Sequence, residues 1–248
     1  MAVSDKLKGV KMRLPSPLVT GQLTKRYKRF LADIVLDDGR EVVAHCANPG
    51  SMLGVAIEGA RVWAHEHGNP KRKLAFSWEM VEIDGTLIPI NTTNPNRIVS
   101  EAIEKGVIPE LSGYGGIAPE VKYGEASRID LLLSGGRRKK PCYVEIKNVH
   151  LSRTPGFAEF PDSVTKRGAK HLEELVRVAA KGARAVMLFV VQRGDCLRFA
   201  PAADLDPTYA KTLKYAASAG VELLCYDCEI TTEEIVLRKA LEIDLEPR

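Results

Sequence analysis

The hydrophobic period of this chain changes once, and that single change limits what it can fold into. From Leu14 to about Thr92 the apolar segments are short and strand-like: FLADIVL, EVVAHCA, ARVWAHEH, KLAFSWEMVEI and TLIPI, rich in Val, Ile, Phe and Trp. Asp37-Asp38-Gly39, Gly68-Asn69-Pro70 and Asp84-Gly85 punctuate them as turns. Around Asn91 to Asn96 a helical pattern takes over. Asn94 can cap, Pro95 suits the first turn, Ile98, Val99, Ala102 and Ile103 share one side, and Gly106 stops the helix. Residues 1–92 therefore read as an all-β domain of about five strands, suited to a small closed barrel of the OB or SH3-like kind.

Residues 93–248 read differently. After a Gly-rich loop, Leu111 to Ala118, come strand candidates at Glu120–Tyr123, Arg128–Ser134 and Cys142–Lys147, the last two joined by Gly135-Gly136 and the basic run Arg137–Lys140 as a hairpin. A long helix is expected from about Asp162 to Lys181, capped by Asp162 or Ser163 and ended by Gly182. Ala185–Val191 is a wholly apolar strand, Asp206-Pro207 opens another helix that stops at Gly220, and Val221–Tyr226 is a strand again. Strand, helix, strand, helix, strand implies a mixed α/β second domain, so the fold class is a two-domain α+β or α/β chain.

Composition narrows the function classes. With 45% hydrophobic and 27% charged residues the chain can bury a core, which excludes disordered and fibrous classes. The 36 basic against 32 acidic residues leave +4, a surplus that permits a polyanionic partner without requiring one. Five scattered cysteines suit a reducing compartment, and the best apolar run, Ala185–Val191, cannot span a bilayer, so the expectation is a cytoplasmic protein without a membrane partner. Oligomeric state is not readable.

The sharpest constellation is Arg128-Ile129-Asp130 on one strand and Glu145-Ile146-Lys147 at the end of the next. Alternation puts Glu145 and Lys147 on one face and Ile146 in the core. If the two strands form a hairpin, Asp130 comes beside Glu145. Two carboxylates and a backbone carbonyl make a hard-oxygen site for Mg²⁺ or Mn²⁺. An ammonium beside that metal could orient or activate water for attack on phosphorus.

The stretches EVKYGEASRIDLLL, CYVEIKNVHL, AEFPDSVTKRGAKHLEEL, ARAVMLFVVQR and DPTYAKTLKYAASAGVELLCYDCEI resemble the sugar fermentation stimulation protein family, SfsA, as do LTKRYKRFLADIVLDDG and HCANPGSM near the N-terminus. The resemblance covers nearly the whole chain. It implies an N-terminal OB-like domain joined to a domain of the PD-(D/E)xK nuclease superfamily, DNA binding, and a regulatory link to sugar, particularly maltose, metabolism. It places the superfamily's metal acids on Asp130 and Glu145 and its lysine on Lys147, with Glu101 or Glu120 as an additional acid; Ile129 stands where the motif's proline would be.

Basic residues supply candidate nucleic-acid contacts. In the first domain Lys25, Arg26, Lys28 and Arg29 interleave with Tyr27 and Phe30, the latter expected in the core, and Asn48 and Ser51 lie in a polar turn that could cradle phosphate with backbone amides. In the second, Lys122 and Arg128 flank the acidic strands, and Lys166, Arg167, Lys170 and His171 crowd a helix start. His171 reads as a phosphate contact or packing residue ahead of a general base. Cys225-x-x-Cys228 lacks the second pair of a zinc ribbon, His65-Glu66-His67 lacks a third ligand, and Gly113-Tyr114-Gly115-Gly116 lacks the context of a P-loop, so no nucleotide cofactor is expected. The expected activity is a metal-dependent nuclease on DNA or RNA with weak sequence preference; the alternative is a non-catalytic DNA-binding regulator of sugar metabolism.

Overall fold

A computed structural model describes residues 10–124 and 127–246. After a short β1 (Lys11–Arg13), the first unit consists of β2 (Leu18–Tyr27), β3 (Leu31–Leu36), β4 (Glu41–Cys46), β5 (Arg61–Glu66), β6 (Phe76–Ile83) and β7 (Thr86–Pro89). The strands follow the order β4-β3-β2-β5-β6-β7, and β4 also pairs in parallel with β6, so β2 to β6 close a five-stranded barrel. Closure needs close approach at Gly21, where a Cβ would sit 2.4 Å from the Val35 carbonyl oxygen. Leu23, Ile34, Cys46, Met52, Trp78 and Ile88 fill the interior.

The second unit begins with α1 (Asn94–Glu104), then β8 (Gly116–Tyr123), β9 (Ser127–Ser134) and β10 (Cys142–Val149). It continues through β11 (Leu151–Thr154), β12 (Phe157–Phe160), α2 (Lys166–Ala180), β13 (Arg184–Val191), β14 (Arg198–Pro201), α3 (Pro207–Ser218), β15 (Glu222–Ile230), β16 (Glu234–Ala240) and β17 (Glu242–Ile243). Seven strands form the main sheet in the order β1-β16-β15-β13-β10-β9-β8. The centre is parallel, β10 with β13 and β13 with β15, and its wings are antiparallel. One face buries Ile98, Val99 and Ile103 of α1; the other buries Leu172 and Leu175 of α2 with Tyr209 and Leu213 of α3. This is the mixed α/β layer expected from the strand and helix alternation.

Four details depart from the pattern in the sequence. β1 lies before the barrel yet pairs with β16, Met12 opposite Ile235, because its apolar residues complete the core beside α1. Trp63 and Met80 of the barrel join that same core, so the division at residues 92 and 93 is bridged by shared burial. A small sheet, β11-β12-β14-β17, has strands of two to four residues, too short to register as periodicity. Finally, α2 starts at Lys166, not at Asp162: Thr165 is its cap, accepting from Gly168 N at 3.0 Å. Asp162 is engaged elsewhere, accepting the Met52 amide of the barrel at 2.7 Å.

Candidate active site

The site is built where β9 and β10 stop pairing. Their ladder runs Cys142↔Leu133, Tyr143↔Leu132, Val144↔Leu131. One step further, the Asp130 side chain takes over: its Oδ2 accepts the Ile146 amide at 2.7 Å and its Oδ1 accepts Asn96 Nδ2 of α1 at 3.0 Å. Glu145 and Lys147 share the face toward α2, while Val144 and Ile146 enter the core beneath α1. Both are held at depth, with side-chain exposures of 3% and 14%. Glu145 Oε1 meets Lys147 Nζ at 2.7 Å and also His171 Nδ1 from α2. His171 Nε2 in turn accepts from Arg167 Nε at 3.3 Å.

The buried Glu145 perturbs the half-buried Asp130 beside it. Burial and the Glu145 charge push the Asp130 carboxyl up to about 6, against the opposing pull of the Ile146 amide and Lys147. Burial pushes Glu145 up as well, but the hydrogen bond from His171 and the Lys147 ammonium outweigh it and hold this carboxyl below its usual range. One face of the pair thus stays ionised while the other is poised near neutrality.

Around them lies a set of buried polar atoms: Glu145 Oε2 and the Tyr209 hydroxyl, which have no hydrogen-bond partner among the described residues, and the Tyr123 hydroxyl with the two oxygens of Glu174, whose one polar neighbour there is each other. Burial drives both phenols upward, and the Glu145 charge adds to each. Each such atom costs about 1–3 kcal/mol when left unpaired, so the arrangement favours a polar or cationic guest. The sequence pattern gives neither Glu174 nor Tyr123 a role in the site. The signal was there: Glu174 interrupts the apolar stripe of Leu172 and Leu175, one turn beyond His171.

The remaining sequence candidates distribute unevenly. Glu101 is a half-buried residue of α1 paired with Lys105, and the α1 side chain that reaches the site is Asn96. Glu120 is exposed with φ +53°, between the pairs Pro119↔Leu131 and Val121↔Ile129, at the level of Asp130. Among the described residues no group of three or more His, Cys, Asp or Glu side chains is placed to hold a metal ion. Lys122 stands directly opposite Arg128, a like-charged cross-strand pair one alternation from Asp130. Lys166, Arg167 and Lys170 are exposed on the first turns of α2, whereas His171 is buried.

The barrel candidates separate too. Lys25, Lys28 and Arg29 are exposed, and Lys28 and Arg29 adopt φ +48° and +65° at the β2–β3 tip. Phe30 is not core: it is 47% exposed and stacks on His45 with ring centroids 6.5 Å apart. A three-residue tip between Tyr27 and Leu31 breaks the strand alternation that would have turned it inward. Arg26 is spent on structure, its guanidinium donating to the carbonyls of Arg29, Asn48, Gly50 and Ser51. The amides of that turn are partly used as well: Asn48 Oδ1 accepts Gly50 N, and Asp162 accepts Met52 N, while Ser51 is exposed and Asn48 buried. His65 and His67 meet edge to face at 4.6 Å, with His67 bonded to Ser77.

The second unit matches the family model described as the sugar fermentation stimulation protein RE domain over residues 93–234, and the first matches the SfsA N-terminal OB domain over residues 24–90. The chain belongs to the SfsA family. Sugar fermentation stimulation protein homologs from Maricaulis maris and Paramagnetospirillum magneticum are 53% and 54% identical to it, over 94% and 96% of this chain and 99% and 100% of theirs. The structure of Pyrococcus furiosus SfsA in complex with Ca²⁺ aligns with a TM-score of 0.84 at 29% identity, covering 95% of this chain and 99% of that one. The barrel of this SfsA chain is accordingly an OB domain, the choice that strand pattern alone left open.

Proposed function

We propose that this chain is a divalent-metal-dependent nuclease that hydrolyses phosphodiester bonds in DNA or RNA. The observation that carries the reading is the buried Glu145 carboxylate close to the half-buried Asp130 carboxyl, with the Lys147 ammonium 2.7 Å from Glu145 and the second Glu145 oxygen without a partner among the described residues. That donor set is hard oxygen with excess negative charge, which suits Mg²⁺ or Mn²⁺. Asp130 and Glu145 would hold the cation, with Glu120 the acid nearest in level to join them. Such a cation would supply charge neutralisation at phosphate oxygens and a more acidic bound water. Ca²⁺ in the Pyrococcus furiosus relative supports a cation at this fold.

The protein's own groups do the rest. Lys147 holds Glu145 in place and presents an ammonium to the attacking water. Lys122 and Arg128, side by side next to Asp130, hold backbone phosphate, as do Lys166, Arg167 and Lys170 at the start of α2. Their mutual repulsion is relieved by an anion between them. The OB barrel contributes Lys28, Arg29 and Phe30 at an exposed tip, two charges for phosphates and one ring for a base.

The test is cleavage of single- and double-stranded DNA and RNA by purified protein in Mg²⁺, Mn²⁺ or EDTA, with Glu145→Gln and Lys147→Ala alongside. Metal-dependent cleavage lost in both variants is expected; cleavage unchanged in either rejects these roles. The exposed OB tip favours a second reading, a DNA-binding regulator of sugar metabolism, which salt-sensitive binding without cleavage in any metal would select.

A further inference from the structure

The hydrogen bonds around Glu145 have a direction that assigns roles to two more residues. An arginine side chain only donates, so the 3.3 Å contact from Arg167 Nε requires a lone pair on His171 Nε2. A neutral imidazole has one donor and one acceptor, so its proton must then sit on Nδ1. That nitrogen faces Glu145 Oε1, and an ionised carboxylate only accepts. Lys147 Nζ is 2.7 Å from the same oxygen and 3.4 Å from Nδ1. Both neighbours are donors, so they converge on one oxygen and do not bond each other. Oε1 is saturated by two donors, and Oε2 is buried with no partner among the described residues.

We propose that Arg167 and His171 are positioning residues of this site: Arg167 fixes the His171 tautomer, whose Nδ1–H joins Lys147 in saturating Glu145 Oε1 and so turns Oε2 toward a divalent cation. This rests on the nuclease reading for the cation, although the hydrogen-bond directions do not. It also removes His171 as a general base, because its one lone pair faces Arg167. Through its Nε the exposed Arg167 thereby acts on a metal ligand it does not touch, as partners behind metal ligands commonly do.

The two amide isosteres of histidine separate this role from bulk packing. Asparagine places an N–H near the Nδ1 position; glutamine reaches toward the Nε2 position and leaves Glu145 Oε1 without its second donor. Mn²⁺ alone is titrated calorimetrically into the full chain without nucleic acid, and thermal unfolding verifies that each variant folds. His171→Gln should weaken Mn²⁺ binding by about tenfold or more, while His171→Asn should stay within about threefold of the native chain. Arg167→Leu should weaken Mn²⁺ binding in the native background and have no further effect on top of His171→Asn, where no tautomer remains to be fixed. Equal loss in His171→Gln and His171→Asn overturns the proposal, as does an Arg167→Leu effect of the same size in both backgrounds. Mn²⁺ binding indifferent to all three variants also overturns it, leaving the nuclease reading intact and Arg167 a phosphate contact. A native chain that binds no Mn²⁺ overturns both together.

Discussion

Asp130 Oδ2 accepts the backbone amide of Ile146 at 2.7 Å, in the place where the β9–β10 ladder has just ended at Leu131↔Val144. A side chain here does the work of a strand, and it does so as a carboxyl pushed up to about 6 by burial and by Glu145. An unfolded Asp titrates near 3.9, so the folded state binds the proton more tightly. Below about pH 4 both states are protonated and the perturbation costs nothing; across about pH 4 to 6 the cost builds; above it the native state carries on the order of 1–3 kcal/mol. Asp130→Asn, whose amide can still accept Ile146 N while Asn96 turns over, should therefore melt higher than the native chain at pH 8. The gap should close by about pH 4. His150, a buried imidazole pushed down to about 4, pulls the other way in this range. It is common to both proteins, so the difference in melting temperature is the quantity to measure. A gap that does not change with pH would contradict the assignment, and Mn²⁺ at pH 8 should raise the melting temperature of the native chain alone.

Lys147 lies against a carboxylate with 3% exposure, so its removal affects both chemistry and folding. Lys147→Met keeps the stem that packs along β10 and deletes the charge. Cleavage should fall by about 10²-fold or more if the ammonium acts on the nucleophile. Nucleic-acid affinity in EDTA should change by no more than one phosphate contact, read as the slope of log affinity against log salt. A variant that cleaves normally but binds poorly would make Lys147 a phosphate contact.

How much of this was legible beforehand depends on where each signal lies along the chain. Ala185–Val191, apolar throughout, could only be a central strand, and as β13 it is, bonded on both sides. Glu145-Ile146-Lys147 declared its faces by alternation alone, with Ile146 in the core as expected. Asn96, Tyr123 and Glu174 are brought in by tertiary packing, and nothing in local spacing says that α1 or α2 will lean on β9 and β10. Phe30 misled because a left-handed tip reset the alternation. Asp162 misled because it looks like a helix cap and binds across 110 positions of sequence instead.

That long-range bond has its own consequence. Asp162 Oδ2 and the Met52 amide tie the segment before α2 to the OB domain's turn. A hydrogen bond to a charged acceptor contributes about 1.5–3 kcal/mol. Asp162→Ala should lower the denaturant midpoint accordingly and expose the 48–54 turn to limited proteolysis before the rest of the barrel. Asp162→Asn, which keeps an acceptor, should lose less. Since Thr165 caps α2, neither variant should reduce helix content by circular dichroism.

The exposed tip of the barrel separates charge from stacking. Lys28 and Arg29 hold left-handed backbone, so asparagine is the replacement that removes charge without adding strain. Lys28→Asn and Arg29→Asn should each reduce the salt slope of nucleic-acid binding by about 1 and weaken all sequences alike. Phe30→Ala should leave the slope unchanged and cost about 1–3 kcal/mol on single strands, where an unpaired base can reach the ring, with little cost on duplex. Because Phe30 is half exposed and meets His45 on the surface, its loss should change stability by less than about 0.5 kcal/mol. If single-strand affinity survives Phe30→Ala while both asparagine variants weaken it, the tip serves as an electrostatic guide and the bases face elsewhere.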